Sequence, residues 1–403
     1  MNKIIYRFLI VFIFFFNSIG QAEDNSLPIN LQAMLNKGGF GFANLEHHEL
    51  GDAVTLRGLQ NPGSNLILPN GVEVTYGEIV MLAGDLFGNP KYPISSCSLA
   101  FPKDCFNAQF NTLALAPGNK VLKEINQLRS FFVTLSKELQ QAREQGQSDW
   151  DFYAKKANEI TTKLNRLTGG GSFISDYIPF GQYFLLAQVN FDHFVPDSLK
   201  AYQVGHQVAL ETALKAYQLR LKNKLEQADK VLQLAYAQNA FANHYLSDSL
   251  SSGHMRTPRR AVANIPLPPI VNLLIANLMH DEDCQQGLWV VNREGTNWIT
   301  YGDGNLYKDD NTFHREMIIK IMQLSADSIY ETFLSGKLPN TFPEMGYLPL
   351  YERINELNNT SPLFKVEGNK LLKREKNFDP FDYHWTEDWS PLITLLEFQS
   401  KKK

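Results

Sequence analysis

The chain has 403 residues, with 38 basic and 42 acidic side chains, a formal net charge of −4, and 44% hydrophobic residues. That is enough for a large core, in one domain or two. A net acidic chain fits poorly with a protein that holds nucleic acid by many phosphate contacts, but it leaves open a nuclease that neutralises phosphate with metal.

Residues 1–22 read as an export signal. Lys3 and Arg7 precede the apolar run 8–16, and Gly20-Gln21-Ala22 supplies small residues for cleavage before Glu23. A run of nine is short of the ~20 residues needed to span a membrane. The expectation is a secreted monomer, periplasmic or extracellular, whose 381 remaining residues carry 36 basic against 42 acidic side chains. Cys97 and Cys105, in "SSCSLAFPKDCF", can pair in an oxidising compartment. Cys284 is left over, as a buried thiol or a stray metal ligand.

From 23 to 117 the chain reads as loops, short strands and one helix. That helix opens with a Thr75-x-x-Glu78 capping box, keeps an apolar face through Ile79, Leu82, Ala83 and Leu86, and has Asp85 near its end. Helical spacing follows over about 118–145, stopped by Gly146, and over about 149–167, stopped by "GGG". No proline interrupts residues 197–257, so this stretch is helical, as one bent helix or two. Another helix leads to "LMHDEDC", and "LWVVNREGTNWITYGDG" alternates like a hairpin. "DDNTFHREMIIKIMQLSADSIYETFLSG" is amphipathic and closed by glycine. The predicted class is mostly α with minor β hairpins, a catalytic domain over 23–305 and a mixed extension over 306–403.

The chemistry concentrates in "HYLSDSLSSGH". His244 and Asp248 are four apart, one turn along a helix face. Gly253 lets the chain turn so that His254 faces the same place. Imidazole nitrogen and carboxylate oxygen are ligands that zinc accepts. In "LMHDEDC", His280 precedes Asp281, Glu282 and Asp283. A negative run at a helix C-terminus opposes the dipole and favours a nearby cation.

The pattern HxxxDxxxxxH, filled by His244, Asp248 and His254, resembles the central motif of the zinc-dependent phospholipases C and the related single-strand nucleases. With "LMHDEDCQQGLWVVNREG" and "YGDG" it is most similar to the secreted bacterial branch that cleaves phosphatidylcholine. The resemblance runs over roughly 40–305 and is strongest at 240–305. It implies an α-helical domain with two or three zinc ions in one cleft. It carries Asp85 over as a ligand, His193 in preference to His206, and His48 in preference to His47 within "LEHHELGDA". The family's acid four residues after the last histidine falls on Cys284, so Asp283 is chosen before Glu282. The N-terminal tryptophan ligand of the family has no counterpart, since the first tryptophan here is Trp150.

On this reading the metal set is His48, Asp85, His193, His244, Asp248, His254, His280 and Asp283, and Asp85 and Asp248 also take catalytic roles. The substrate expected is phospholipid at a membrane surface, cut to diacylglycerol and a phosphorylated headgroup, with no nucleic-acid partner. The alternatives are a zinc nuclease or phosphatase, or a non-catalytic membrane-binding protein. Arg256, Arg259 and Arg260 are either partners for lipid phosphate or a solvated basic loop. "FDPFDYHWTEDW" is either an interfacial aromatic segment, with peripheral membrane contact, or core edge. His314 and His384, without partners at metal spacing, are structural or exposed.

Overall fold

The computed structural model describes residues 44–401, apart from 62, 64, 173, 174 and 177. The expected export signal lies outside the described residues. The chain divides into two compact units, the larger covering residues 36–389. A boundary expected after 305 falls inside this larger unit.

The described elements begin with α1 (Asn44–Asp52), the two-residue strands β1 (Leu66–Ile67) and β2 (Glu73–Val74), and α2 (Tyr76–Leu82). The capping box forms as expected: Thr75 Oγ accepts from the Glu78 amide, and Glu78 Oε2 accepts from the Thr75 amide. The helix is shorter than its apolar pattern suggests. Ala83 is extended and Gly84 has φ 72°, so the chain turns before Asp85. A side chain at Gly84 would also come within 2.8 Å of the His193 ring, so both conformation and space demand glycine.

A helix absent from the sequence reading, α3 (Pro102–Ala114), starts with proline in its first turn. Its Cys105 is joined to Cys97 by a disulfide. Next come α4 (Gly118–Glu144), α5 (Asp149–Leu167) and the short α6 (Gln182–Ala187), then a 3₁₀ turn at Asn190–His193.

The long helical stretch proves to be two helices, α7 (Asp197–Leu221) and α8 (Leu225–Asp248), turned at Asn223 with φ 57°. They form the centre of the molecule. Ala235, Ala237, Ala240 and Ala242 keep α8 slim, and every residue from Ala235 to Asp248 is buried. Close approach is enforced at Gly205 on α7, where a Cβ would fall 2.4 Å from Phe106 and 2.8 Å from Ala242. Phe106 and Phe110 meet Phe241 edge-on beneath it.

The chain continues through α9 (Ser252–Arg256), α10 (Arg259–Ala263) and α11 (Pro269–Gln286), which ends at Gly287 with φ 76°. Strands β3 (Leu288–Val291) and β4 (Asn297–Thr300) form the expected antiparallel hairpin, Leu288 opposite Thr300. Helix α12 (Thr312–Ser335) packs on α7 and α8 and stops at left-handed Gly336.

A three-stranded antiparallel sheet, β5 (Phe364–Glu367), β6 (Lys370–Arg374) and β7 (Trp385–Thr386), completes the larger unit. Arg374, fully buried, forks onto the Glu282 carboxylate at 2.6 and 3.1 Å and ties the sheet to the end of α11. Helix α13 (Pro391–Lys401) belongs to the second unit. The class is mostly α, as the sequence implies. Among the described residues no helix is long and apolar enough to cross a membrane.

Candidate metal centre

The last turns of α8 put His244 and Asp248 on one face, fully buried. Asp248 is the hub. Its Oδ2 lies 2.8 Å from His193 Nδ1 and 3.3 Å from His244 Nε2, while Oδ1 lies 3.2 Å from His254 Nδ1 and 3.3 Å from His47 Nε2. Four imidazoles from four elements therefore surround one carboxylate: His47 from α1, His193 from the 3₁₀ turn, His244 from α8 and His254 from α9.

Their potential ligand atoms form three groups, each within 4.8 Å: His47 with His244 and Asp248; Asp85 with His193 and His244; His254 with His280 and Asp303. Each of these buried clusters could hold a metal ion.

Hydrogen bonds orient the rings. Val80 O lies 2.8 Å from His244 Nδ1, Ser247 Oγ lies 3.0 Å from His47 Nδ1, and Asp281 Oδ1 lies 3.1 Å from His280 Nδ1. Such outer contacts fix the ring and leave the opposite nitrogen for a metal. At the centre, Asp248 Oδ1, both ring nitrogens of His254 and Asp303 Oδ2 are buried and make no hydrogen bond among the described residues. Buried polar atoms seldom stay unsatisfied. These atoms belong to the clusters, and their nitrogen-and-carboxylate chemistry suits a metal ion.

Charge is strained here. Burial pushes the Asp85 carboxyl up to about 7, with Asp248 adding to the rise against the opposing pull of His193. Burial also works against a charged His193, but Asp248 and Asp85 outweigh it and lift the ring to about 9. Burial alone would raise Asp248; His244, His254 and His193 instead hold it well below the ordinary range.

Six expected residues meet in the centre: Asp85, His193, His244, Asp248, His254 and His280. His206 stays outside, buried within α7 against Asn239, its pKa lowered to about 3 by burial. Two choices are corrected. His48 is a third exposed and faces Asp52, one turn on, whereas its neighbour His47 is fully buried and points at Asp248. One residue along a helix is a rotation of about 100°, which separates the two rings completely. Asp283 gives both its oxygens to Arg256, and Glu282 is held by Arg374.

The third carboxylate comes instead from Asp303, in the turn after β4. Its loop is gripped by Glu46, whose oxygens accept from the amides of Gly304 at 3.0 Å and Leu306 at 2.9 Å. Cys284 is a buried free thiol, 3.5 Å from His280 Nε2. Its sulfur lies where a Cβ at Gly253 or Gly302 would have to go, at 2.5 and 2.2 Å, so there is little room for a longer acid at this position.

Outside the centre, Arg256 also bonds Thr360 O, and Arg260 pairs with Asp197. His314 is buried, its Nε2 2.9 Å from Leu250 O, and His384 is exposed beside Asp382. In the aromatic segment, Trp385 and Trp389 donate their indole N–H to Pro362 O and Leu371 O, while Phe381 and Tyr383 remain exposed. No family model, no curated protein and no solved structure matches the chain.

Proposed function

We propose that this chain is a secreted, zinc-dependent phosphodiesterase of the phospholipase C type, acting on phosphatidylcholine and related glycerophospholipids. The observation that carries the reading is Asp248, a buried carboxylate that presents each oxygen to a separate pair of imidazoles. The sequence resemblance over 240–305 selects lipid among phosphodiesters, and the disulfide agrees with export.

In this reading zinc would be held by His254, His280 and Asp303, and by His244 together with His47 and Asp248 or with Asp85 and His193, since the one free nitrogen of His244 serves a single ion. Bound there, it would polarise the phosphoryl oxygens and lower the pKa of a water to ~7. The protein's own part is positioning and proton handling. Asp248 holds the imidazoles around one point, and Ser247, Val80 and Asp281 fix three of the rings. Asp85, whose Oδ1 lies 4.0 Å from His193 Nδ1, is the candidate carboxylate to accept the proton of an attacking water. Export and peripheral contact with a lipid surface belong to the same proposal, with Phe381 and Tyr383 as exposed aromatics available to it.

The test pairs metal analysis of the purified protein with release of phosphocholine from phosphatidylcholine and cleavage of single-stranded DNA. The expected result is two or three zinc ions per chain and phosphocholine release that stops on chelation. Cleavage of DNA alone would move the assignment to a nuclease, and a protein without bound metal would overturn it.

A further inference from the structure

Three arginines follow His254 within six residues, and two of them have acidic partners. Arg256 pairs with Asp283 and Arg260 with Asp197. Arg259, between them, has none among the described residues. Yet it is only 4% exposed. Its Nε donates to Asn190 Oδ1 at 2.9 Å and its Nη2 to Gln188 O at 3.1 Å. The guanidinium lies 5.1 Å from the Phe191 ring centroid, with that of Arg260 4.5 Å from the same ring. Its hydrogen-bond partners are neutral, and the charge that acts on it is the like charge of Arg260. Burial therefore lowers its pKa to about 10, and Arg260 adds to the fall. A buried cation in such surroundings is costly unless an anion joins it.

The surroundings leave a small recess beside it, with room for one water-sized group such as a single oxyanion oxygen. Arg259 lines a recess with Asn190, Phe194, Ala276, Asn277 and His280. His280 belongs to the third metal cluster, and Phe194 lies against both His254 and His280, at 4.6 and 6.1 Å between ring centroids. The recess thus joins an unpaired guanidinium to the edge of the centre. Among the described residues Arg259 Nη1 makes no hydrogen bond, which leaves donors for an oxyanion. Guanidinium groups suit phosphate because planar N–H donors meet two oxygens at once.

We propose that Arg259 is an anion-recognition residue, which receives a phosphate oxygen beside the His254–His280–Asp303 cluster. The ligand is a phosphodiester of the lipid headgroup or a phosphomonoester, including free phosphate. Only the first of these rests on the phospholipase reading.

The experiment titrates inorganic phosphate, by calorimetry, into the metal-loaded full chain and its Arg259→Met, Arg259→Gln and Arg260→Met variants. Metal-bound phosphate contributes equally to all four, so the difference isolates Arg259. Both Arg259 variants should bind phosphate at least about tenfold more weakly, as expected for loss of a charge-assisted contact, while Arg260→Met keeps wild-type affinity. Gln retains an N–H for Gln188 O and serves where Met disturbs the fold. Kinetics with short-chain phosphatidylcholine separates the sources. A KM raised about tenfold with kcat little changed identifies the diester; weaker phosphate inhibition at constant KM identifies the monoester. Folded Arg259 variants with wild-type phosphate affinity and KM would overturn the proposal. A protein without lipid hydrolysis that still shows Arg259-dependent phosphate binding would remove the phospholipase reading and leave this one standing.

Discussion

Helix α8 carries two buried polar networks on different faces. On one, Asn239 and Asn243 join Tyr76, Ser325 and Tyr202: Tyr76 donates to Asn239 at 2.6 Å, Asn243 to Tyr76 at 2.8 Å, and Ser325 to Asn243 at 2.8 Å. These amides and hydroxyls largely satisfy one another. On the other face, His244 and Asp248 join four more imidazoles and two more carboxylates, and Asp248 Oδ1, His254 and Asp303 Oδ2 keep unmet hydrogen-bonding capacity. Both networks occupy the same low-dielectric interior. The first leaves only His206 Nε2 and Glu344 Oε2 unmet at its edge, whereas the second gathers its unmet nitrogen and carboxylate atoms in one cluster that could hold a cation, so buried polarity alone does not mark a functional site; a concentration of ligand-type atoms left unsatisfied does.

The sharpest break in this comparison is Asp248→Asn. Loss of one charge shared by four rings should lower the bound metal count, and hydrolysis of phosphatidylcholine should fall at least about a thousandfold, checked by metal analysis and initial rates. Next comes the paired substitution on α1. His47→Ala should release metal and cut activity roughly a hundredfold, while His48→Ala stays within about twofold of wild type. Equal effects would reject the assignment of α1.

In the satisfied network the expectation inverts. Asn243→Ala strands Tyr76 and Ser325, and should cost about 1–3 kcal/mol in denaturant unfolding with metal count unchanged. The smallest effect is Glu78→Gln, in the capping box of α2. Burial alone would raise the Glu78 pKa, but bonds from Arg129 and the Thr75 amide bring it below the ordinary value. A carboxylate lowered in this way stabilises the fold above its unfolded pKa of ~4.3 and loses that contribution as pH falls through the folded value. Glu78→Gln should therefore cost about 1 kcal/mol at pH 7, modest because Arg129 is 31% exposed. The deficit should narrow as acidity carries the wild type through that range, followed by thermal unfolding of metal-depleted protein between pH 7 and 3.

Much of the centre could be read from the sequence because it lies along single elements. His244 and Asp248 are related by one helical turn, and the glycine before His254 marks the change of direction. The helical class, the division at Gly146 and the β3–β4 hairpin follow from the same short-range rules. What escaped were decisions made by tertiary contact. Between His47 and His48 the usable clue was Leu50 and Gly51, which extend the buried face of His47, against Asp52, which extends the wet face of His48. Asp303 carried no spacing signal at all, since its place beside His280 depends on Glu46, more than 250 residues earlier, gripping the loop. The end of α2 was set by Gly84 and the space taken by His193, neither visible in an apolar pattern that ran on to Leu86.

The Arg374–Glu282 clasp has a consequence for any attempt to shorten the molecule. Glu282 sits two positions after His280, and its counter-charge arrives from 92 residues downstream. A protein ended after residue 305 would retain every donor in the three clusters. It would also leave Glu282 without the Arg374 fork at the tip of the helix that bears His280, and expose the floor on which the sheet had rested. The tail is thus a keystone for the half that carries the three clusters, and excising it should leave an aggregating remnant.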